Sequence, residues 1–283
     1  MIPPLSFSKL SVSIVSAILC FPCLAQATHD SVEAGSQSVG AYPYPDSHIA
    51  LGHKDPTALQ IVQQCLLAFR GAQWSGFDAM GTIRASNGRS SSELPATLSI
   101  DRELRSRLDI VTAVGNRSIR MDGPLGGMKS ETGAVTVLPP ATSSAGLVSL
   151  PELLSTAVHD PTVSLIDEGI TQIDDRPLHR VAYIRPQSKR AFEHPSAMLP
   201  PLATDFYFDE STHFLVRSVD AVHLQASDRS SHQRVLLYSD FRAAAGVMLP
   251  YRYSEFLDGR FVWEILLTEV SSGSEHDAAY FRF

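Results

Sequence analysis

Cysteine is scarce in this 283-residue chain: there are three, and two of them, Cys20 and Cys23, lie near its start. If the opening segment is removed, Cys65 stands alone and an internal disulfide is impossible, so stability must come from burial. Basic side chains are also short, with 23 Lys and Arg against 30 Asp and Glu and a formal net charge of -7. Binding phosphates by counterion release needs a concentrated basic face, and no basic run of that kind is present, so nucleic acid is not an expected partner. With 44% hydrophobic and 19% charged residues, 17 Gly and 18 Pro, the composition excludes disordered, coiled-coil and collagen-like chains. The one long apolar run, Leu10 to Leu24, is too short to span a bilayer comfortably.

The familiar reactive motifs are missing as well. There are ten His, but no His-Glu-x-x-His and no His pair at ligand spacing beside a Cys, so no metal site is expected. The nearest candidates, His213 and His223, fall at the same parity at opposite ends of one expected strand. No Gly-x-Ser-x-Gly elbow exists. Gly126-Gly127-Met128-Lys129-Ser130 looks superficially like a phosphate loop, but its glycine spacing is wrong and no helix pattern follows. Asp167-Glu168 and Asp174-Asp175 are adjacent pairs whose side chains point to opposite faces of a strand and cannot share a substrate proton. The expectation is a protein that is not an enzyme and uses no cofactor. A secreted hydrolase with dispersed catalytic residues is the enzymatic alternative.

What is present begins with Lys9, the apolar run and Ala25-Gln26-Ala27, the charged, apolar and small-residue order of a secretory signal. Residues 1–27 are therefore expected to be cleaved, leaving a periplasmic or secreted protein without a stable transmembrane span. A retained anchor helix and a lipoprotein are the other readings, although Leu19 and Pro22 precede the two cysteines where lipidation wants a small residue. Residues 28–54, rich in Ser, Gly, His, Tyr and Pro, read as a flexible leader. A single domain is expected over 55–283.

That domain opens with Asp55-Pro56, an N-cap acid and a first-turn proline, followed by Leu59, Val62, Leu66 and Phe69 at helical spacing. Gly71 is the expected stop, Cys65 a core filler, and Leu67 a widening of the apolar stripe. From Phe77 onward the period switches to two. Alternating runs follow at 94–100, 108–114, 118–121, 165–173, 178–184, 214–222, 235–243, 247–257 and 261–270, with shorter ones near Met128, 135–138 and 206–208. A short helix begins at Leu150. Asn87-Gly88, Gly246 and Asp258-Gly259 mark hairpin turns. The expected fold is mainly β (α+β): a wide curled antiparallel sheet or open barrel of about eleven strands wrapped around the amphipathic helix. An outer-membrane barrel competes with this, but it has no place for a buried amphipathic helix.

The order of features resembles the outer-membrane lipoprotein-sorting proteins of the bacterial envelope, the LolA/LolB-like family. The resemblance rests on the signal, on Leu66-Leu67-Ala68-Phe69-Arg70-Gly71, and on Phe77-Asp78-Ala79-Met80-Gly81-Thr82-Ile83. Later in the chain it rests on Asp205-Phe206-Tyr207-Phe208-Asp209, Tyr238-Ser239-Asp240-Phe241-Arg242 and Gly246-Val247-Met248-Leu249-Pro250. It implies an unclosed barrel in the periplasm with an apolar cavity for acyl chains. No arginine aligns with the one that gates those carriers, so the resemblance assigns no functional residue.

One short helix cannot easily fill the hollow of so wide a sheet, so part of the apolar lining is expected to face a ligand-sized space. The candidate lining is Leu98, Ile100, Leu108, Ile110, Phe206, Phe208, Tyr251, Tyr253, Phe261, Trp263 and Ile265, with Phe192, Met198 and Leu199 as a candidate lid. The expected partner is a lipid or an acylated protein. An envelope assembly or sensing component that binds a protein partner is the alternative.

Overall fold

The structure is a computed structural model that describes residues 52–283 except 71–75, 87–90, 102, 104, 123–124, 139–151, 186–201, 223–231 and 274. The expected signal, nearly all of the leader, the Asn87-Gly88 turn, His223 and the candidate lid therefore lie outside the described residues. His53 and Lys54, assigned to the leader, belong to the folded body. Leu165 N–H donates to the His53 carbonyl at 2.9 Å, and Lys54 Nζ donates to the carbonyls of Val158 at 2.9 Å and Asp160 at 2.7 Å.

The first helix, α1 (Pro56–Phe69), starts where its cap chemistry dictates: the Asp55 carboxylate accepts from Thr57 N–H at 2.7 Å and Ala58 N–H at 3.3 Å. It ends one residue earlier than expected. Arg70 takes the left-handed conformation, with φ 57°, and its N–H satisfies the last-turn carbonyls of Leu66 and Leu67, while Gly71 lies outside the described residues. Ala58, Ile61, Val62, Cys65 and Phe69 form the buried stripe, whereas Leu67 is 77% exposed and contributes nothing to it. At 100° per residue, Leu67 sits on the side of the helix turned away from the sheet.

Six strands follow: β1 (Gly76–Ser86), β2 (Ser91–Asp101), β3 (Arg105–Thr112), β4 (Gly115–Asp122), β5 (Leu125–Lys129) and β6 (Val135–Leu138). After α2 (Glu152–His159) come β7 (Ser164–Ile173), β8 (Arg176–Arg185), β9 (Leu202–Asp209), β10 (Leu215–Val222), β11 (His232–Ala244), β12 (Val247–Leu257) and β13 (Arg260–Ser272). The described residues thus hold thirteen strands, against the expected eleven. β5, at the short run expected near Met128, holds the glycines that resembled a phosphate loop, and they lie in the sheet. His213 is not in a strand at all; it occupies a turn with φ 62° ahead of β10.

All pairings between these strands are antiparallel, in the order β6-β5-β4-β3-β2-β1-β13-β12-β11-β10-β9-β8-β7. Two meanders are thus joined at β1–β13, and the edges β6 and β7 pair with no strand beyond them in that order. Consecutive residues with positive φ make several hairpins tight, among them Asp258-Gly259 (48° and 74°), Ala245-Gly246 (51° and 80°) and Asp174-Asp175 (50° and 61°). Such turns match the right-handed twist of the strands they join, which is how so wide a sheet curls. The inner face carries α1, which rests on β7, β12 and α2. The outer face carries the C-terminal segment, where Phe281 is buried and Arg107 lies 4.3 Å from the Tyr280 ring.

Candidate ligand-binding interior

Cross-strand register shows which residues share the inner face. One row runs Ile83, Ile265, Tyr253 and Tyr238 across β1, β13, β12 and β11. The next runs Trp263, Glu255, Leu236, Ser218, Phe206 and Val181 from β13 to β8. In the other meander, Leu98 faces Leu108 and Ala96 faces Ile110. Of the candidate lining, Leu98, Ile100, Leu108, Ile110, Phe206, Phe208, Tyr251, Tyr253, Trp263 and Ile265 join one cluster with the buried side of α1.

Phe261 does not join them. Phe256 pairs with Phe261 but Glu255 pairs with Trp263, so β13 carries one extra residue between the two. A bulge of this kind reverses the side-chain alternation. Phe261 therefore stands on the outer face, its ring 5.8 Å from Phe256 and 5.3 Å from the Arg84 guanidinium.

Apart from Tyr251, at 8%, the inward-facing candidates are no more than 3% exposed. These side chains are shielded from solvent and belong to the cluster that packs against α1. Cys65, also fully buried, touches the Leu215 backbone, and burial pushes its thiol well above the ordinary range, as suits a packing residue. Phe69 stacks on Phe214 at 5.3 Å, and Phe214 stacks on Phe241 at 4.5 Å, tying the end of α1 to β10 and β11.

The interior wall is not uniformly apolar. Near the rim where β8, β10 and β12 end, Arg234 Nε donates to Asp220 Oδ1 at 2.9 Å, with both side chains largely buried. Burial opposes charge on Arg234, but the adjacent Asp220 carboxylate more than offsets this, and the guanidinium stays protonated. Glu255 is deeply buried, and desolvation pushes its carboxyl up to about 7 despite Arg234 nearby; the Trp263 indole donates to it. Arg185, the last residue of β8, interacts with both Asp220 and Arg234, and burial lowers its pKa. One row deeper, Tyr238 OH lies 3.2 Å from Ser218 Oγ, while the buried Tyr253 OH has no hydrogen-bond partner among the described residues.

Strand periodicity alone passes over this cluster because charged residues in strands read as solvated. The available signal was parity: Glu255 is in phase with Tyr251 and Tyr253, and Arg234 with Leu236 and Tyr238. In the other meander Arg117 also takes an inner-face register position opposite Ile110, and its guanidinium pairs with Glu131 at 2.9 Å. Among the described residues, no group of three or more His, Cys, Asp or Glu could hold a metal, and no helix is long and apolar enough to cross a membrane. A cleft of about 890 Å³ is lined by Leu237, Arg252, Ser254 and Glu264 together with Phe214, Tyr238 and Phe241 and, at its mouth, Arg176, Asp209 and Thr212.

No protein-family model matches this chain, and no curated protein matches it. Solved structures do. A LolA superfamily protein from Nitrosomonas europaea, 13% identical, aligns over 80% of this chain and 97% of its own with a TM-score of 0.51. A DUF1329 family protein from Desulfovibrio piger, 9% identical, aligns over 80% of this chain and 97% of its own with a TM-score of 0.52. The fold is LolA/LolB-like. At these identities the likeness speaks for architecture alone, and one architecture hosts several roles. This LolA-like sheet carries a charged cluster, Arg234, Asp220 and Glu255, in its inner wall.

Proposed function

We propose that this protein is a non-enzymatic acyl-chain-binding protein of the bacterial cell envelope, acting in the periplasm or outside the cell after signal removal, with a lipid or acylated protein as its ligand. The observation that carries this reading is the sidedness of the sheet: a largely apolar inner face across both meanders, packed against α1 rather than against a second sheet. Leu98, Ile100, Leu108, Ile110, Phe206, Phe208, Tyr251, Tyr253, Trp263 and Ile265 are the proposed contact surface. Because β6 and β7 do not pair with each other, the sheet can spread without breaking a ladder hydrogen bond, and opening costs side-chain packing only. Burying a methylene is worth about 0.8 kcal/mol, so ten contribute about 8 kcal/mol before ordering costs.

The test is to purify the chain from the envelope, extract it for lipid, and titrate the stripped protein with a fluorescent fatty acid. Co-purifying lipid and saturable binding support the proposal; reproducible absence of both overturns it. A second reading, capture of a protein segment by strand addition, is favoured by the β6 edge, where Val135 and Val137 are 54% and 79% exposed. Crosslinking from β6 in intact cells that recovers no specific partner would count against it.

A further inference from the structure

The proposed contact surface is buried, with Phe206, Tyr253, Trp263 and Ile265 at most 3% exposed, so an acyl chain needs a way in. The cleft of about 890 Å³ shares a wall with that surface. Phe214, Tyr238 and Phe241 line the cleft, and each also packs in or against the cluster that includes the buried side of α1. Behind them stand two fully buried rings: Phe69 of α1, whose centroid lies 5.3 Å from that of Phe214 and 5.9 Å from that of Phe241, and Tyr253, 6.0 Å from Tyr238. We propose that this cleft is the entrance to the interior and that the stacked rings of Phe214 and Phe241 are the partition an acyl chain displaces. The inference rests on the acyl-binding reading above and assigns the ligand its route.

The cleft has the size and lining for an amphiphile. Its volume falls within the roughly 300–1,000 Å³ of small-molecule sites. Val216 and Leu237 add apolar wall beside the rings. Both signs of charge are present, Arg217 and Arg252 against Asp240 and Glu264, so the cleft accommodates a polar head without selecting its charge. Phe214 and Phe241 are the part that moves. Both are only partly buried, unlike Phe69. Each directly follows a non-glycine residue with left-handed backbone, His213 at φ 62° and Asp240 at φ 56°. Backbone of this kind is held in place by its surroundings and recurs at clamps and switch regions, so swinging either ring away frees a strained residue.

The experiment plugs the cleft. In the mature chain Cys65 is the one native thiol, and it is buried. Ser239→Cys, at an exposed position in the cleft lining, therefore takes a bulky maleimide selectively. Val114→Cys, at 80% exposure between β3 and β4 in the other meander, is the labelled control. Stopped-flow mixing with a fluorescent fatty acid gives entry and exit rates. Labelled Ser239→Cys should take up the probe at least about tenfold more slowly than the same protein unlabelled, and labelled Val114→Cys should match its unlabelled form. Phe241→Ala should speed entry and exit alike by about fivefold and leave Kd within about twofold, because a partition sets the barrier without belonging to either end state. Phe241→Leu, which keeps more of the packing, should act in the same direction. A Ser239 label that slows entry no more than the Val114 label, or Phe241 variants that admit the probe no faster than wild type, overturns the entrance while acyl binding stands. No binding by the unlabelled protein overturns the acyl-binding reading itself.

Discussion

Glu255 couples the interior to pH. Its carboxyl, pushed up to about 7 by burial from an ordinary 4.5, keeps its proton in the native state when the unfolded chain has released it. The associated stability is full below the unfolded value and is lost as pH rises through about 7. We expect the urea unfolding free energy of Glu255→Gln to exceed that of the wild type by a margin that grows by roughly 2–4 kcal/mol from pH 4.5 to pH 8. Taking the difference between variants removes the opposite contributions of Asp160, Asp209, Asp240 and Asp258, whose lowered carboxyls lose stability in acid. At Tyr253 a buried hydroxyl without a partner costs stability, so Tyr253→Phe should be neutral or stabilising by about 1 kcal/mol in the same assay.

At the scale of elements, α1 is anchored by its cap, its stripe and its last aromatic. Phe69→Ala removes the ring that stacks on Phe214 and should cost about 3–5 kcal/mol in equilibrium unfolding. Arg70→Gly should instead stabilise by about 1 kcal/mol, because glycine meets no Cβ penalty at φ 57°. These elements also show what was legible beforehand. Asp55-Pro56 and Asp258-Gly259 act through local chemistry, and each sits where its residues dictate. Phe261 was misplaced because its face depends on a bulge set by pairing with β12, a non-local fact that simple alternation does not contain. The Arg234–Asp220 pair was missed because its partners are 14 residues apart on different strands, and only register brings them together. Leu67 and Arg70 lay at a helix end, where propensity is weakest as a guide.

At the scale of the whole molecule, an unclosed thirteen-stranded sheet packs its inner face against α1, and the proposed function requires that face to open to admit an acyl chain. Trp263, on the inner face at 3% exposure, reports on that event. The chain has two Trp, so Trp74→Phe leaves Trp263 as the sole indole. Titrating that variant with a fatty acid brominated along its chain tests the central claim directly, since bromine quenches an indole only on near contact. The account predicts saturable, stoichiometric quenching of Trp263 that an unbrominated acid displaces. Binding of the brominated acid with Trp263 emission unchanged would place the ligand elsewhere and contradict it.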